Sequence, residues 1–388
     1  MGDAASMKLT ASKGRLKEAA VLFARLGLVS FGGPAAHIAL MRDEVVRRRN
    51  WMGDQDFLDM VGATNLIPGP NSTEMAIHLG KRRAGWWGYL AGGVLFILPA
   101  TLIVLALAVV YVRYGSIPQV EWLLYGIKPI MVAIVLFAVW GLARGTSKTL
   151  MPILAAITVA FLYVFGVNEL LLLAAGGLVF VAIKAGWRNM GHALLLLPLA
   201  GGMPVLAAQT AGGYSLLTLT LNFLKIGAVL YGSGYVLLAY LRSDFVERLG
   251  WLTDQQLIDA IAVGQVTPGP VSTAATFIGY LTGSYPGAVL ATVAIFLPAF
   301  VFVALLSHIL PLVRRHEVAS AALDGVNAAS LGLMAGVAWQ LGRAAVTDWF
   351  TVAALLAAVA VAWLTKLNTL WLILAGGVAG ILFRVVSA

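Results

Sequence analysis

Cysteine is absent from the chain, which excludes disulfides, thiol catalysis and thiolate metal sites. Histidine is scarce. His37, His78, His192, His308 and His316 form no HxxxH or HExxH pattern, so no metal is expected. Charge is sparse as well: 11% of residues are Asp, Glu, Lys or Arg, against roughly 25% in an average soluble domain. That rules out a water-soluble reading. Carboxylates within the apolar segments are few and scattered, a poor basis for metal-assisted phosphoryl transfer. There is no haem motif and no dinucleotide fingerprint. The chain therefore reads as a non-enzyme with no cofactor. The basic N-terminus is not followed by a small-residue cleavage pattern, so no signal peptide is expected.

What is abundant is apolar. Hydrophobic residues make up 60% of the 388 positions, and mean hydropathy is +0.90. Stretches such as 85–112, 122–142 and 284–310 reach the roughly 20 residues that span a bilayer as a helix. The fold class expected is an all-α polytopic membrane protein. The formal net charge is +9. Its Lys and Arg residues cluster between apolar segments, so orientation in a membrane explains them better than nucleic acid does.

The chain is written twice. FARLGLVSFGGP from Phe23 returns as FLKIGAVLYGSG from Phe223. WMGDQDFLD from Trp51 returns as WLTDQQLID from Trp251, and NLIPGPNST from Asn65 returns as QVTPGPVST from Gln265. Further along, Trp140 and Arg144 find Trp339 and Arg343. Each copy opens with two Gly/Pro-broken apolar segments, and four more regular hydrophobic helices follow. The division expected is a basic cytoplasmic N-terminus at 1–18, a first repeat at 19–190, a linker with one crossing at 191–213, and a second repeat at 214–388.

Loop charge gives the relative orientation. In the first repeat, Arg47-Arg48-Arg49 and Lys81-Arg82-Arg83 follow the broken segments, whereas the matching loops of the second repeat are nearly neutral. At the next loop the bias reverses, with Arg314-Arg315-His316 in the second repeat. Positive loops face the cytoplasm, so the repeats are expected to be inverted, with the extra crossing at 193–208 turning the second copy over. On the same count, segments 19–41 and 57–80 enter and leave on one side. They read as re-entrant hairpins turning at Gly32-Gly33-Pro34 and Pro68-Gly69-Pro70. A single kinked crossing for each is the alternative.

Broken helices at matching places in two repeats point to a transport site. Gly69, Asn71, Ser72 and Thr73 in one copy match Gly269, Val271, Ser272 and Thr273 in the other. A helix starting after such a break turns free N–H groups toward it, and that end favours oxyanions. The structural alternative is a kink for close packing. Arg25 and Lys225 are matched cations in apolar sequence, suited to a dianion, with snorkelling toward the interface as the alternative. Gly32, Gly33, Gly232 and Ser233 would let backbone amides approach the ligand. Asp59 and Asp259 are a matched acidic pair that could carry protons or pair with Arg25 and Lys225. Glu74 has no acidic counterpart, since Ala274 stands there. It reads either as the acid of a capping box begun at Asn71 or as a proton-coupling group. His37 is a further coupling candidate.

These residues carry a resemblance. FGGP at 31–34, the WMGDQDF block from Trp51, the paired PGP motifs, YGSG at 231–234 and WLTDQQ from Trp251 together resemble the chromate ion transporter family in its long, two-domain form. The resemblance implies export of chromate from the cytoplasm, driven by membrane potential or proton gradient. It also implies oppositely oriented halves. Alternating access at the repeat interface is the mechanism expected, with a possible homodimer. The basic N-terminus reads as cytoplasmic by its charge, and with no organelle targeting a bacterial inner membrane is the expected location. Spacing and composition by themselves indicate only an anion. Sulfate or another oxyanion is the alternative substrate, and an anion channel the alternative mode.

Overall fold

The computed structural model describes residues 2–31, 33–64, 67–114, 118–145, 150–184, 214–230, 236–313, 317–365 and 369–387. The expected crossing at 193–208 and the Arg314-Arg315-His316 loop lie outside the described residues. Among those described, the fold is entirely helical. The first repeat comprises α1 (Gly2–Val29), α2 (Pro34–Arg42), α3 (Asp54–Thr64), α4 (Asn71–Tyr114), α5 (Pro118–Gly145), α6 (Leu150–Val164) and α7 (Glu169–Lys184). The second comprises α8 (Leu216–Val229), α9 (Leu237–Leu241), α10 (Asp254–Val266), α11 (Ala274–Val313), α12 (Glu317–Ala345), α13 (Trp349–Leu364) and α14 (Thr369–Ser387). α2 and α9 each run on into a wider π-helical turn, Asp43–Arg48 and Arg242–Arg248. Among the described residues, four segments are long and apolar enough to cross a membrane: Asn71–Tyr114, Glu121–Gly141, Val271–Leu305 and Ser320–Ala345. The protein is a multi-pass membrane protein.

Sequence punctuation sets the local breaks. α1 stops before Gly33, whose φ of 83° is left-handed, and α2 restarts with Pro34, where a proline costs no hydrogen bond. α10 starts at a reciprocal cap in which Thr253 and Gln256 satisfy each other's backbone N–H. α4 is not one straight rod. Ala84 and Gly85 leave helical geometry, and Gly85 has φ 64°. A Cβ on Gly80 would lie 2.1 Å from the carbonyl oxygen of Gly88, and one on Gly92 would lie 2.4 Å from that of Ala76. The chain has therefore doubled back, with 71–83 running antiparallel to the start of 86–114. α11 repeats the reversal at Gly283 and Ser284, where Gly279 meets Gly287.

One carboxylate ties the open ends of the first repeat's hairpins together. Glu18 in α1 accepts from Arg49 at 3.2 Å, from the indole N–H of Trp51 at 3.1 Å and from Arg83 at 2.5 Å. The chain before α1's break, the chain after α2 and the end of the short limb of α4 thus lie at one place. The second repeat closes the corresponding end with different contacts: Arg248 donates to Asn222 at 2.6 Å, and the Tyr214 ring packs on Trp251.

The remaining helices interlock across the repeats. α5 packs on α13 and α14 of the second repeat, and α12 packs on α6 and α7 of the first. Small residues make the seams, as close helix approach in lipid requires. Gly126 of α5 lies against Gly376 and Gly380 of α14, and Gly325 of α12 lies against Gly176 and Gly177 of α7. The paired glycines at 176–177 and 376–377 are packing positions. The long helices α4 and α11 also meet, running in opposite directions. Tyr89, near the start of α4's long limb, donates its hydroxyl to the carbonyl of Phe300 in α11. Tyr111, at the far end of that limb, packs its ring at a tilt against Phe277 in α11's short limb.

Candidate functional site

The Pro-Gly-Pro turns are bound to the opposite repeat. Gly69 donates its N–H to the carbonyl of Leu230 at 2.6 Å, and Gly269 donates to Ser30 at 2.8 Å. Ser30 and Leu230 hold matching positions at the ends of α1 and α8. Each turn also presses on the other repeat's long helix. A Cβ on Gly269 would stand 2.6 Å from Ala100, and one on Gly69 would stand 3.5 Å from Ala299. Both glycines have positive φ, 144° and 94°, so a side chain is barred there by conformation and, at Gly269, by space as well.

Hydroxyls collect around these turns and are closed off from the surface. Ser72, Thr73, Ser272 and Thr273 are all buried. Thr273 donates to the Pro270 carbonyl at 2.8 Å. The hydroxyls of Ser30, Thr73, Ser272 and Thr101, and the amide nitrogen of Gln265, have no hydrogen-bond partner. Unsatisfied polar atoms at such depth are costly and uncommon. Ser30, Thr73, Ser272 and Gln265 lie in or next to the paired turns and the helix ends that hold them. Ser30, Thr101 and Gln265 were not singled out by the sequence. Only Gln265, matched by Asn65 in the repeated string, carried a signal.

Glu74 differs from its expected capping role. α4 begins at Asn71, with the carbonyl of Pro70 accepting from Thr73 and Glu74 at 2.8 and 3.1 Å. Pro70 precedes the helix and has no N–H to offer a capping acid. The Glu74 side chain instead folds back onto the turn. Its Oε1 occupies space within 2.2 Å of where a Cβ on Gly69 would sit. Both carboxyl oxygens are buried without a hydrogen-bond partner.

The expected cations have partners of their own. Arg25 pairs with Glu44 at 3.7 Å, and that carboxylate also takes Arg48 and Arg49, each at 3.1 Å. Lys225 pairs with Asp244 at 2.5 Å, and Arg248 joins the same acid at 2.9 Å. Glu44 and Asp244 are matching positions in the two π-helical turns. The expected pairing of Asp259 with one of these cations is therefore corrected. Asp259 instead binds Lys128 of α5 at 3.2 Å and accepts from Tyr111 at 2.8 Å. The side chain of Asp59 lies outside the described residues, as do Gly32, Gly232 and Ser233. Gly33 is buried at the α1–α2 turn and Asn71 opens α4. His37 is fully buried, its ring edge-on to Phe96 with centroids 5.7 Å apart.

Among the described residues, no group of three or more His, Asp or Glu side chains could hold a metal ion. A surface cleft of about 420 Å³ lined by Arg242, Glu247, Trp339 and Arg343 among others includes no residue of the turns.

Comparison with known proteins agrees with this architecture. The chromate transporter family profile matches residues 17–181 and again 217–381. The chain is 34% identical to a chromate transport protein of Cupriavidus metallidurans, over 93% of this chain and 90% of that one. It is 31% identical to a chromate transport protein of Pseudomonas aeruginosa, covering 92% and 90%. It is 30% identical to a probable chromate transport protein of Synechococcus elongatus, covering 95% of each. No solved structure matches. A profile matched twice, once in each repeat, and relatives aligned over nearly the whole chain place this protein in the chromate transporter family.

Proposed function

We propose that this protein is a secondary transporter that exports chromate from the cytoplasm across a bacterial inner membrane, its N-terminus on the cytoplasmic side. The oxyanion is held where the two Pro-Gly-Pro turns cross between the repeats. The observation that carries this reading is the reciprocal pair of hydrogen bonds, Gly69 to Leu230 and Gly269 to Ser30, set among unpartnered buried donors. A tetrahedral dianion needs many hydrogen bonds from donors fixed in place. The hydroxyls of Ser30, Thr73, Ser272 and Thr101 and the Gln265 amide are of that kind, and the start of α4 adds backbone N–H groups with a favourable dipole. Arg25 and Lys225 sit before the breaks as flanking cations, released in part from Glu44 and Asp244 when the anion arrives.

The interlocked repeats supply the moving parts. The hairpins of each repeat contact the long helix of the other, so tilting one set against the other opens the turns to one side and closes the opposite side. The hairpins are re-entrant in this reading. Their non-helical turns are tolerated at membrane depth because they are covered by protein. Glu74 and Asp259 are the proposed coupling acids.

Everted vesicles test the proposal. Wild type is expected to accumulate chromate when energised, and Thr73→Val and Ser272→Ala are expected to lower uptake roughly tenfold each while the purified proteins remain folded. Excess sulfate decides the substrate. Abolition of chromate uptake by that excess would favour a general oxyanion carrier over a chromate exporter. Vesicles that carry no anion would remove the proposal.

A further inference from the structure

The repeats match closely, and where they fail to match the difference is informative. Lys128 of α5, Asp259 of α10 and Tyr111 of α4 meet in one buried group. The ammonium is 3.2 Å from the carboxylate, and the phenol donates to that carboxylate at 2.8 Å. The Lys128 and Asp259 side chains are 10% and 3% exposed. Among the described residues no other lysine or arginine is buried. By repeat position, Asp259 answers to Asp59, but Lys128 answers to Asn327 and Tyr111 to Leu310. Among the described residues, this ion pair has no second copy.

Its place is specific. Asp259 stands about 12 Å of helix before the second Pro-Gly-Pro turn, on the side where the hairpins of the second repeat have their open ends. Lys128 belongs to the first repeat by sequence and Asp259 to the second, so the pair joins the two repeats where α5 packs on α10. A buried ion pair is poor value as a fastening, because desolvation cancels much of its attraction. A lone ammonium inside a membrane protein usually faces a pathway or a partner it can exchange.

We propose that Lys128 is a further substrate-binding cation, held by Asp259 in this conformation and transferred to the oxyanion as it passes toward the second repeat's open side. This inference rests on the transport reading above. The chemistry is an exchange of one anionic partner for another at a single ammonium. A dianion competes well with a singly charged carboxylate, while Tyr111 keeps its hydrogen bond to Asp259 and holds that carboxylate in place. Because Asn327 and Leu310 stand at the matching positions, the opposite half of the path has no such stage. The asymmetry gives an otherwise two-fold carrier unequal ends, as one-way export requires.

Chromate counterflow into everted vesicles, which needs no proton coupling through Asp259, tests the exchange, with gel filtration of each purified variant as the folding control. Lys128→Gln/Asp259→Asn removes both charges together and leaves no stranded ion. It is expected to fold yet lose roughly tenfold or more of uptake. Wild-type uptake in this double variant would show the pair to be structural only and overturn the inference. Asp259→Asn alone frees Lys128 permanently. It is expected to lower KM for chromate and slow turnover, since the anion is then held without a competitor. An unchanged or raised KM in that variant would also overturn the inference, even if the double variant does not fold. Wild-type vesicles that carry no chromate would instead overturn the transport reading, and this inference with it.

Discussion

Gly269 donates its backbone N–H to the carbonyl of Ser30 at 2.8 Å, so a turn of the second repeat is fastened to the first helix of the first. The matching bond from Gly69 to Leu230 closes the same relationship from the other side. Neither repeat can complete its own turn. The centre of the protein is therefore shared, and substitutions there act on both halves at once.

The approach of α1 to α4 makes the first prediction. A Cβ on Gly27 would lie 2.7 Å from the Phe96 carbonyl oxygen, and one on Gly227 would lie 2.3 Å from that of Ile295. Backbone oxygens cannot rotate away as a side chain can. Gly27→Ala and Gly227→Ala are each expected to destabilise the protein by about 1–3 kcal/mol through overpacking. Thermal unfolding in detergent measures this, and unchanged melting for both would contradict the seam described.

Inversion is directly testable because the chain contains no cysteine to interfere. Gln55 and Gln255 are matching, exposed positions in the first turns of α3 and α10. Single Gln55→Cys and Gln255→Cys variants are expected to react with a membrane-impermeant maleimide from opposite sides. Position 55 should be labelled in everted vesicles and position 255 in intact cells. Labelling of both from one side would mean parallel repeats.

The sequence made the architecture readable because each copy repeats its local instructions. Pro and Gly at matched places mark breaks that no later packing can undo, and so the α1–α2 and α3–α4 interruptions were expected. Of the two readings of Glu74, the capping box is not formed, because it needs an N–H before the helix and Pro70 has none. Lys128 was invisible for a different reason. Its partner Asp259 is remote in sequence, and matching the repeats draws attention away from a residue whose counterpart is Asn327. The roles of Glu44 and Asp244 were hidden among arginines that read only as loop charge. The exchange of α5 and α12 between repeats follows from small-residue seams, which hydrophobic periodicity does not record.

Outside the membrane-spanning segments, Arg42 at the end of α2 pairs with Asp54 at the start of α3. The Arg42 Nε donates at 2.7 Å, and a second contact joins Nη2 to the same carboxylate. That hydrogen bond holds the Asp54 carboxyl below the ordinary carboxylate range. A depressed folded value means the contribution is present above the unfolded value and is lost as pH falls through the folded one. The group is solvent-exposed, so the effect is small. Melting temperature against pH is expected to show an acid-side loss in wild type that is reduced in Asp54→Asn. Identical acid profiles would place the loss elsewhere.

Glu74 gives the sharpest test of coupling. Its carboxyl group is buried against Gly69 with both oxygens unpartnered, and an ionised carboxylate without a partner at that depth is expensive. Glu74→Gln preserves size and shape, so the variant should fold with a melting temperature equal to or above that of wild type. It cannot exchange a proton during the cycle. Chromate counterflow, which needs no net driving force, is expected to persist. Concentrative uptake driven by an imposed pH gradient is expected to fall roughly tenfold. Two results would separate this role from simple packing. Loss of both counterflow and driven uptake would assign Glu74 to the anion site itself. Full retention of pH-driven uptake would leave Asp259, the second proposed coupling acid, as the carrier of the proton.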